Sequence, residues 1–207
     1  MTDWDRSWQY YAGFDYQEVY ELENIDLTPY TGIIVSASCD QIFLAKHGDI
    51  LEQWVKDGGT LLVNGHPVHP FLTDMPSWRK LYFHGVNDIW LHTTGRHPIW
   101  DGVDMRGLLL RTGVPGEHSF EELLKIGVGG FYARNYLVNL PGNAHVIVGI
   151  GEGKLPVDVA YPYGRGEVIM HCGMDVDFFN PEFFDTPVDM RARVAQYLGG
   201  TGKEEVK

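Results

Sequence analysis

Leu51-Glu52-Gln53-Trp54-Val55-Lys56-Asp57-Gly58-Gly59-Thr60-Leu61-Leu62-Val63-Asn64-Gly65 is the stretch that decides how the chain is read. Its first half closes a helical pattern in which Ile42, Phe43, Ile50, Leu51, Trp54 and Val55 mark one or two pieces broken near Gly48, with Asp40 as the cap. Gly58-Gly59 stops that helix in the left-handed way. Thr60 to Asn64 is then a short apolar run of the kind that suits a strand buried on both faces of a sheet.

Upstream, Gly32-Ile33-Ile34-Val35-Ser36 reads as a second buried strand, so the two runs and the helix between them form a strand–helix–strand unit. Tyr16 to Leu22 alternates imperfectly and reads as a further strand, after a short opening helix carrying Trp4, Trp8 and Tyr11. From His66 to about Leu110 regularity fades. His66-Pro67, His69-Pro70, Met75-Pro76 and His97-Pro98 favour extended or turn geometry there. Leu108 to Leu110 and Gly127 to Tyr132 are weakly strand-like, and Ala144 to Ile150 strongly so. Pro156 to Ala160 and Glu167 to His171 flank Tyr163-Gly164-Arg165-Gly166, the pattern of a late β-hairpin. Thr186-Pro187 opens a helix that runs to Leu198 and stops at Gly199-Gly200.

These elements predict one α/β domain over residues 1–200 and a charged tail over 201–207. The whole chain has 207 residues, enough for one full core and tight for two. A formal net charge of −12 disfavours phosphate backbones and anionic membrane surfaces, so neither nucleic acid nor membrane is expected as a partner. Two cysteines do not make a disulfide framework, and no stretch approaches a membrane span. The start of the chain lacks an apolar leader, and a cytoplasmic location is expected.

The segments from Tyr30 to Ser36 and from Leu51 to Gly65 resemble a strand, helix, double glycine and strand of class I glutamine amidotransferase-like proteins. Their spacing is similar to that of ThuA-like proteins and of the related domain in some β-galactosidases. His97-Pro98-Ile99-Trp100-Asp101-Gly102-Val103 and Tyr163-Gly164-Arg165-Gly166-Glu167-Val168-Ile169 resemble two later segments of the same group. The resemblance implies a flavodoxin-like, mostly parallel sheet with helices on both faces. Two departures stand out. The G-x-C-x-G nucleophile elbow is absent, the comparable strand end reading Val63-Asn64-Gly65-His66-Pro67. The family's first buried strand also has no counterpart in the short polar run Met1 to Asp5. An unpaired sheet edge would follow, and with it a homo-oligomer or a protein partner.

In open α/β sheets ligands bind beyond the carboxyl ends of the strands. Three strands end there in reactive residues. Ser38, Cys39 and Asp40 follow the first, Asn64, His66 and His69 the second, and His171, Cys172 and Asp175 the last. Ser38, Asp40, Asn64, His171 and Asp175 are the expected ligand-binding residues. Cys39 suits either a nucleophile with His66 or His69 as its base, or a small packing residue at a strand end. His66-Pro67-Val68-His69 lacks helical ligand spacing, so neither a metal nor another cofactor is expected. The glycines of Gly149 to Gly153 and Gly127 to Gly130 read as turns, because no helix opens behind them. Phe178 to Phe184 reads as core or as a partly exposed patch. Two functions follow as expectations: a non-catalytic amidotransferase-like module that binds a small polar ligand or assembles with a partner, or a hydrolase acting on a carbohydrate-like or other small polar substrate through a Cys/His/Asp rim.

Overall fold

The structure is a computed structural model that describes residues 14–109, 119, 121–122, 125, 132–181 and 187–200. The deciding stretch folds as read. Helix α1 (Gln41–Lys56) is capped by Asp40, whose carboxylate accepts from the backbone N–H groups of Ile42 and Phe43. Its two pieces meet at His47, where the backbone leaves helical geometry (φ −122°, ψ 15°), next to Gly48. After the turn at Gly58 (φ +119°) comes β2 (Thr60–Asn64), buried along its whole length.

The main sheet has the order β1 (Gly32–Val35), β2, β8 (Gly166–His171), β7 (Leu155–Tyr163), β6 (His145–Ile150), β4 (Leu91–Thr93). A small antiparallel pair, β3 (Ser77–Lys80) and β5 (Asn135–Val138), forms a second sheet whose β5 packs against β7. Alternation along β2 divides the interior in two. Leu62, Ile169 and Ala160 face one core, together with Met190, Val194 and Leu198 of helix α4 (Met190–Leu198). Leu61, Val63, Val168 and Met170 face the other, with Leu44, Leu51 and Val55 of α1. Each such wholly buried aliphatic side chain contributes roughly 1.5–3 kcal/mol. Helices therefore cover both faces, as expected.

The sheet itself is a correction. It is mixed and mostly antiparallel, not mostly parallel. Only β1–β2 and β2–β8 run parallel, while β8–β7, β7–β6 and β6–β4 run antiparallel. The reason is the connections. Tight turns at Gly151–Lys154 and at Gly164 (φ +62°) join β6, β7 and β8 directly, and strands joined by tight turns must reverse direction. Parallel pairing is confined to the strands linked by longer crossovers.

Three further expectations change. Tyr16 to Leu22 is not a strand but holds a 3-10 turn at Val19–Glu21, anchored where Tyr20 meets the edge of the Phe43 ring and donates to Asp40. Leu108 lies in a short helix, α3 (Met105–Leu109), opened by the Asp104 side chain accepting from the Arg106 N–H. Helix α4 starts after Pro187, because Asp189 takes the capping role by accepting from Ala192 N–H. A last short helix, α2 (Val86–Ile89), precedes β4. Strand β1 is an edge strand, and among the described residues no strand pairs with its outer side. The opening helix, the glycines Gly127 to Gly130, Phe183, Phe184, Thr186 and the 201–207 tail lie outside the described residues.

Candidate functional site

A row of polar side chains crosses the sheet at the carboxyl ends of its parallel strands. Asn64 ends β2 and His171 ends β8, and the two are register partners. His171 is also the register partner of Asp158 in β7. Register partners share a face, so the three follow Leu62, Ile169 and Ala160 towards the α4 side. All three are buried, at 2%, 0% and 0% exposure. Ser36, just after β1, extends the row towards the edge.

Behind His171 runs a buried chain of hydrogen bonds. The Trp100 indole N–H lies 3.0 Å from the Tyr132 hydroxyl, which donates to Asp158 Oδ2 at 2.9 Å. Asp158 Oδ1 lies 2.6 Å from His171 Nδ1. The Tyr132 ring stands edge-on to the imidazole at 4.5 Å between centroids. Burial first, and then the Asp158 charge, holds the Tyr132 hydroxyl well above its ordinary range, so it stays a donor. A carboxylate accepts only, so His171 Nδ1 donates its hydrogen to Asp158. His171 Nε2 has no partner in the protein. Gly173 passes close over it: a Cβ there would fall 2.4 Å from Nε2 and 2.2 Å from the Tyr132 carbonyl oxygen.

The segment after β8 returns over the row. Asp175 accepts from Ser36 Oγ at 2.7 Å and from Ala37 N–H at 2.6 Å. Burial raises its carboxyl, against the lowering effect of those bonds. The Val176 N–H donates to Asn64 Oδ1 at 3.1 Å, which leaves Asn64 Nδ2 buried without a partner. Asp177 Oδ1 is likewise unpartnered. Burial, and then the neighbouring Asp175 charge, raises Asp177 to about 6. Met190 N–H donates to the Phe179 carbonyl at 2.8 Å and so pins α4 against this segment.

Of the residues expected to bind a ligand, Asn64, His171 and Asp175 thus stand together. Ser38 lies beside them, its Oγ 3.0 Å from Ser36 Oγ. Asp40 is occupied as the cap of α1. Cys39 sits at the edge of the α1-side core. Burial pushes its thiol up to about 11, and Asp175 adds to the effect, so it stays protonated. His66 stands 4.6 Å from Trp78 between ring centroids, with its Nδ1 3.3 Å from Asn135 Nδ2. His69 is exposed, its backbone N–H donating to Gln41. Cys172 is buried and pushed up to about 12. Among the described residues, no three His, Cys, Asp or Glu side chains are grouped to hold a metal ion.

Asp158, Tyr132, Trp100 and Ser36 were not among the expected residues. A signal for Asp158 was present. It is a lone acid in the apolar run Val157-Asp158-Val159, and counting outward from the hairpin turn places it opposite His171. A second histidine cluster lies at the other end of the sheet. There the buried His97 Nε2 is 3.7 Å from Glu167 Oε2, which also accepts from the Tyr197 hydroxyl at 2.6 Å.

No family model matches the chain, and no curated protein matches it. Solved structures do. Cytoplasmic Protein STM1381 from Salmonella typhimurium LT2 is 12% identical with a TM-score of 0.54, over 89% of this chain and 80% of that one. Cytoplasmic Protein STM3548 from Salmonella typhimurium is 13% identical with a TM-score of 0.52, over 90% of this chain and 77% of that one. A β-galactosidase from Bacillus circulans sp. alkalophilus is 17% identical over 84% of this chain and 24% of that one, with a TM-score of 0.37, too low to carry an argument. At these identities the first two likenesses are likenesses of fold: this chain shares a mixed α/β architecture with proteins described as cytoplasmic.

Proposed function

We propose that this chain is a non-catalytic amidotransferase-like module of the cytoplasm that binds a small polar ligand at the Asn64–His171–Asp175 end of the sheet. One observation carries the reading. Asn64 and His171 are register partners on neighbouring strands, Asn64 Nδ2 and His171 Nε2 are each buried and unpartnered, and folded proteins rarely leave such groups unsatisfied. The protonated Cys39 thiol and the missing nucleophile elbow both favour binding over covalent chemistry. The ThuA-like and β-galactosidase-associated resemblance belongs to the same reading. Assembly with a second copy or a partner through the outer side of β1 is compatible with it, and sedimentation of the purified chain tests that part.

The experiment is a thermal-shift screen of small polar compounds, with each hit repeated on Asn64→Leu. Hits that raise the melting temperature of the parent and not of the variant are expected. No hit, or hits indifferent to the substitution, would remove the reading.

The Asp158–His171 pair favours one alternative, a hydrolase in which His171 acts as a general base towards water. Turnover of ester, amide or glycoside substrates that is lost in His171→Gln would establish it in place of the first reading.

A further inference from the structure

Beyond β8 the chain crosses back over the strand ends between two fixed roots. The upstream root is Gly173, bridged to Ala133. The downstream root is Phe179, whose ring lies 5.1 Å from the Tyr132 ring between centroids and whose carbonyl accepts from Met190 N–H. Between the roots Val176–Phe178 forms a 3-10 turn that holds its own shape. Phe178 N–H donates to the Asp175 carbonyl, Phe179 N–H to the Val176 carbonyl and Asn180 Nδ2 to the Asp177 carbonyl.

The grip of this segment on the strand ends goes through side chains. Asp175 accepts from Ser36 Oγ and Ala37 N–H beyond β1, and Val176 N–H donates to Asn64 Oδ1 at the end of β2. Asn64 and His171 are buried against it. Gly173 comes so close to His171 Nε2 that an added Cβ would lie 2.4 Å away. A ligand reaches those two side chains once the segment lifts.

Two carboxylates ride on the segment, and both are raised first by burial. Asp175 is answered by two donors, whereas Asp177 Oδ1 is buried without a partner. Three charges act on Asp177. Asp175 raises it further, while Arg191 of α4 and His171 of β8 lower it. Burial and Asp175 prevail, so an ionised Asp177 is better accommodated in water than in the closed segment.

We propose that Met174–Phe178 is a strap over the Asn64–His171 end of the sheet, held shut by acid and loosened when Asp177 ionises. Its service as a gate rests on the reading of that end as a ligand site; its motion does not. Closure is favoured most while Asp177 is neutral in both states, below about pH 4. The advantage is lost as pH rises towards the closed-state value of about 6, and opening levels off above it.

Amide hydrogen exchange of the whole chain, followed by NMR from about pH 4 to about pH 7, tests the strap without any ligand. Ala37 and Val176 N–H report its grip. Thr60 N–H, bonded to the Thr31 carbonyl, and Cys172 N–H, bonded to the Val157 carbonyl, report the sheet. After correction for intrinsic rates, Ala37 and Val176 should be at least about tenfold less protected than Thr60 and Cys172. Their opening should rise at least about tenfold between about pH 4 and about pH 6.5, and that rise should vanish in Asp177→Asn. Equal protection at all of these amides would mean that the segment opens only with the whole sheet, and overturns the proposal. Opening that does not rise with pH, or a rise that persists in Asp177→Asn, overturns it too. Because no ligand is present, these outcomes are independent of the thermal-shift screen that tests the binding reading.

Discussion

His171 Nδ1 and Asp158 Oδ1 stand 2.6 Å apart at the end of a tight hairpin, with both side chains wholly buried. The Tyr132 hydroxyl occupies the other Asp158 oxygen, so the carboxylate is solvated entirely by protein groups. Removing one member of such a pair leaves a buried polar group or charge unanswered. Asp158→Asn should therefore lower unfolding stability by about 3 kcal/mol. Urea denaturation at neutral pH measures it, and a loss below about 0.5 kcal/mol would show that the pair does not form.

The raised carboxyl of Asp177 has a consequence of definite sign. Its ordinary value is 3.8, and the fold raises it to about 6. Between those values the native state binds more protons than the unfolded chain, so stability falls as pH rises. The penalty is absent below about pH 4 and complete above about pH 6. Asp177→Asn should therefore stabilise the protein at pH 7 by about 1–3 kcal/mol and leave it little changed at pH 4. Equal effects at the two pH values would refute the burial account.

Cys39 provides a chemical test of the nucleophile reading. A thiol held near 11 carries little thiolate at neutral pH. Iodoacetamide at pH 7.5 should modify it at least about tenfold more slowly than free cysteine, and Cys172 more slowly still. Peptide mass spectrometry follows both sites. Rapid labelling of Cys39 would restore it as a candidate nucleophile.

Gly48 separates local preference from packing. Within a helix, alanine is ordinarily favoured over glycine by about 1 kcal/mol. Here a Cβ would lie 1.9 Å from the Phe71 carbonyl oxygen, a backbone atom with little freedom to retreat. Gly48→Ala should instead destabilise the protein by about 2 kcal/mol, read from thermal or urea unfolding. A gain in stability would mean that α1 and the loop at Phe71 are not in contact.

Legibility in the sequence followed the range of the physics involved. The cap at Asp40, the break near Gly48 and the strand from Thr60 to Asn64 depend on neighbours a few residues away, and each was readable. So was the hairpin at Gly164, because a left-handed turn residue leaves a local mark. Strand order was not readable, since nothing local in β2 says that its second neighbour is β8. Tyr16 to Leu22 misled because an imperfect alternation also fits a turn whose aromatic side chain lands on α1. In the candidate site Asn64, His171 and Asp175 were named from their places after strands. Tyr132 and Trp100 escaped because they come from the irregular middle of the chain, where tertiary contact alone assigns them a role.

Strand β8 sits on a seam, antiparallel to β7 on one side and parallel to β2 on the other. The two sides differ in the chain length that must close before they form. The β7 side closes over a tight turn, whereas Thr60 and Glu167 lie about a hundred residues apart, with a correspondingly larger entropic cost of closure. The meander of β6, β7 and β8 should accordingly assemble early, with β1 and β2 docking afterwards. Pulsed hydrogen exchange during refolding should protect Val159 and Ile169 amides before those of Ile34 and Leu62. The polar row spans the seam, so it comes into being only at that last docking step, and any ligand it holds would act as a fastener between the early and late halves.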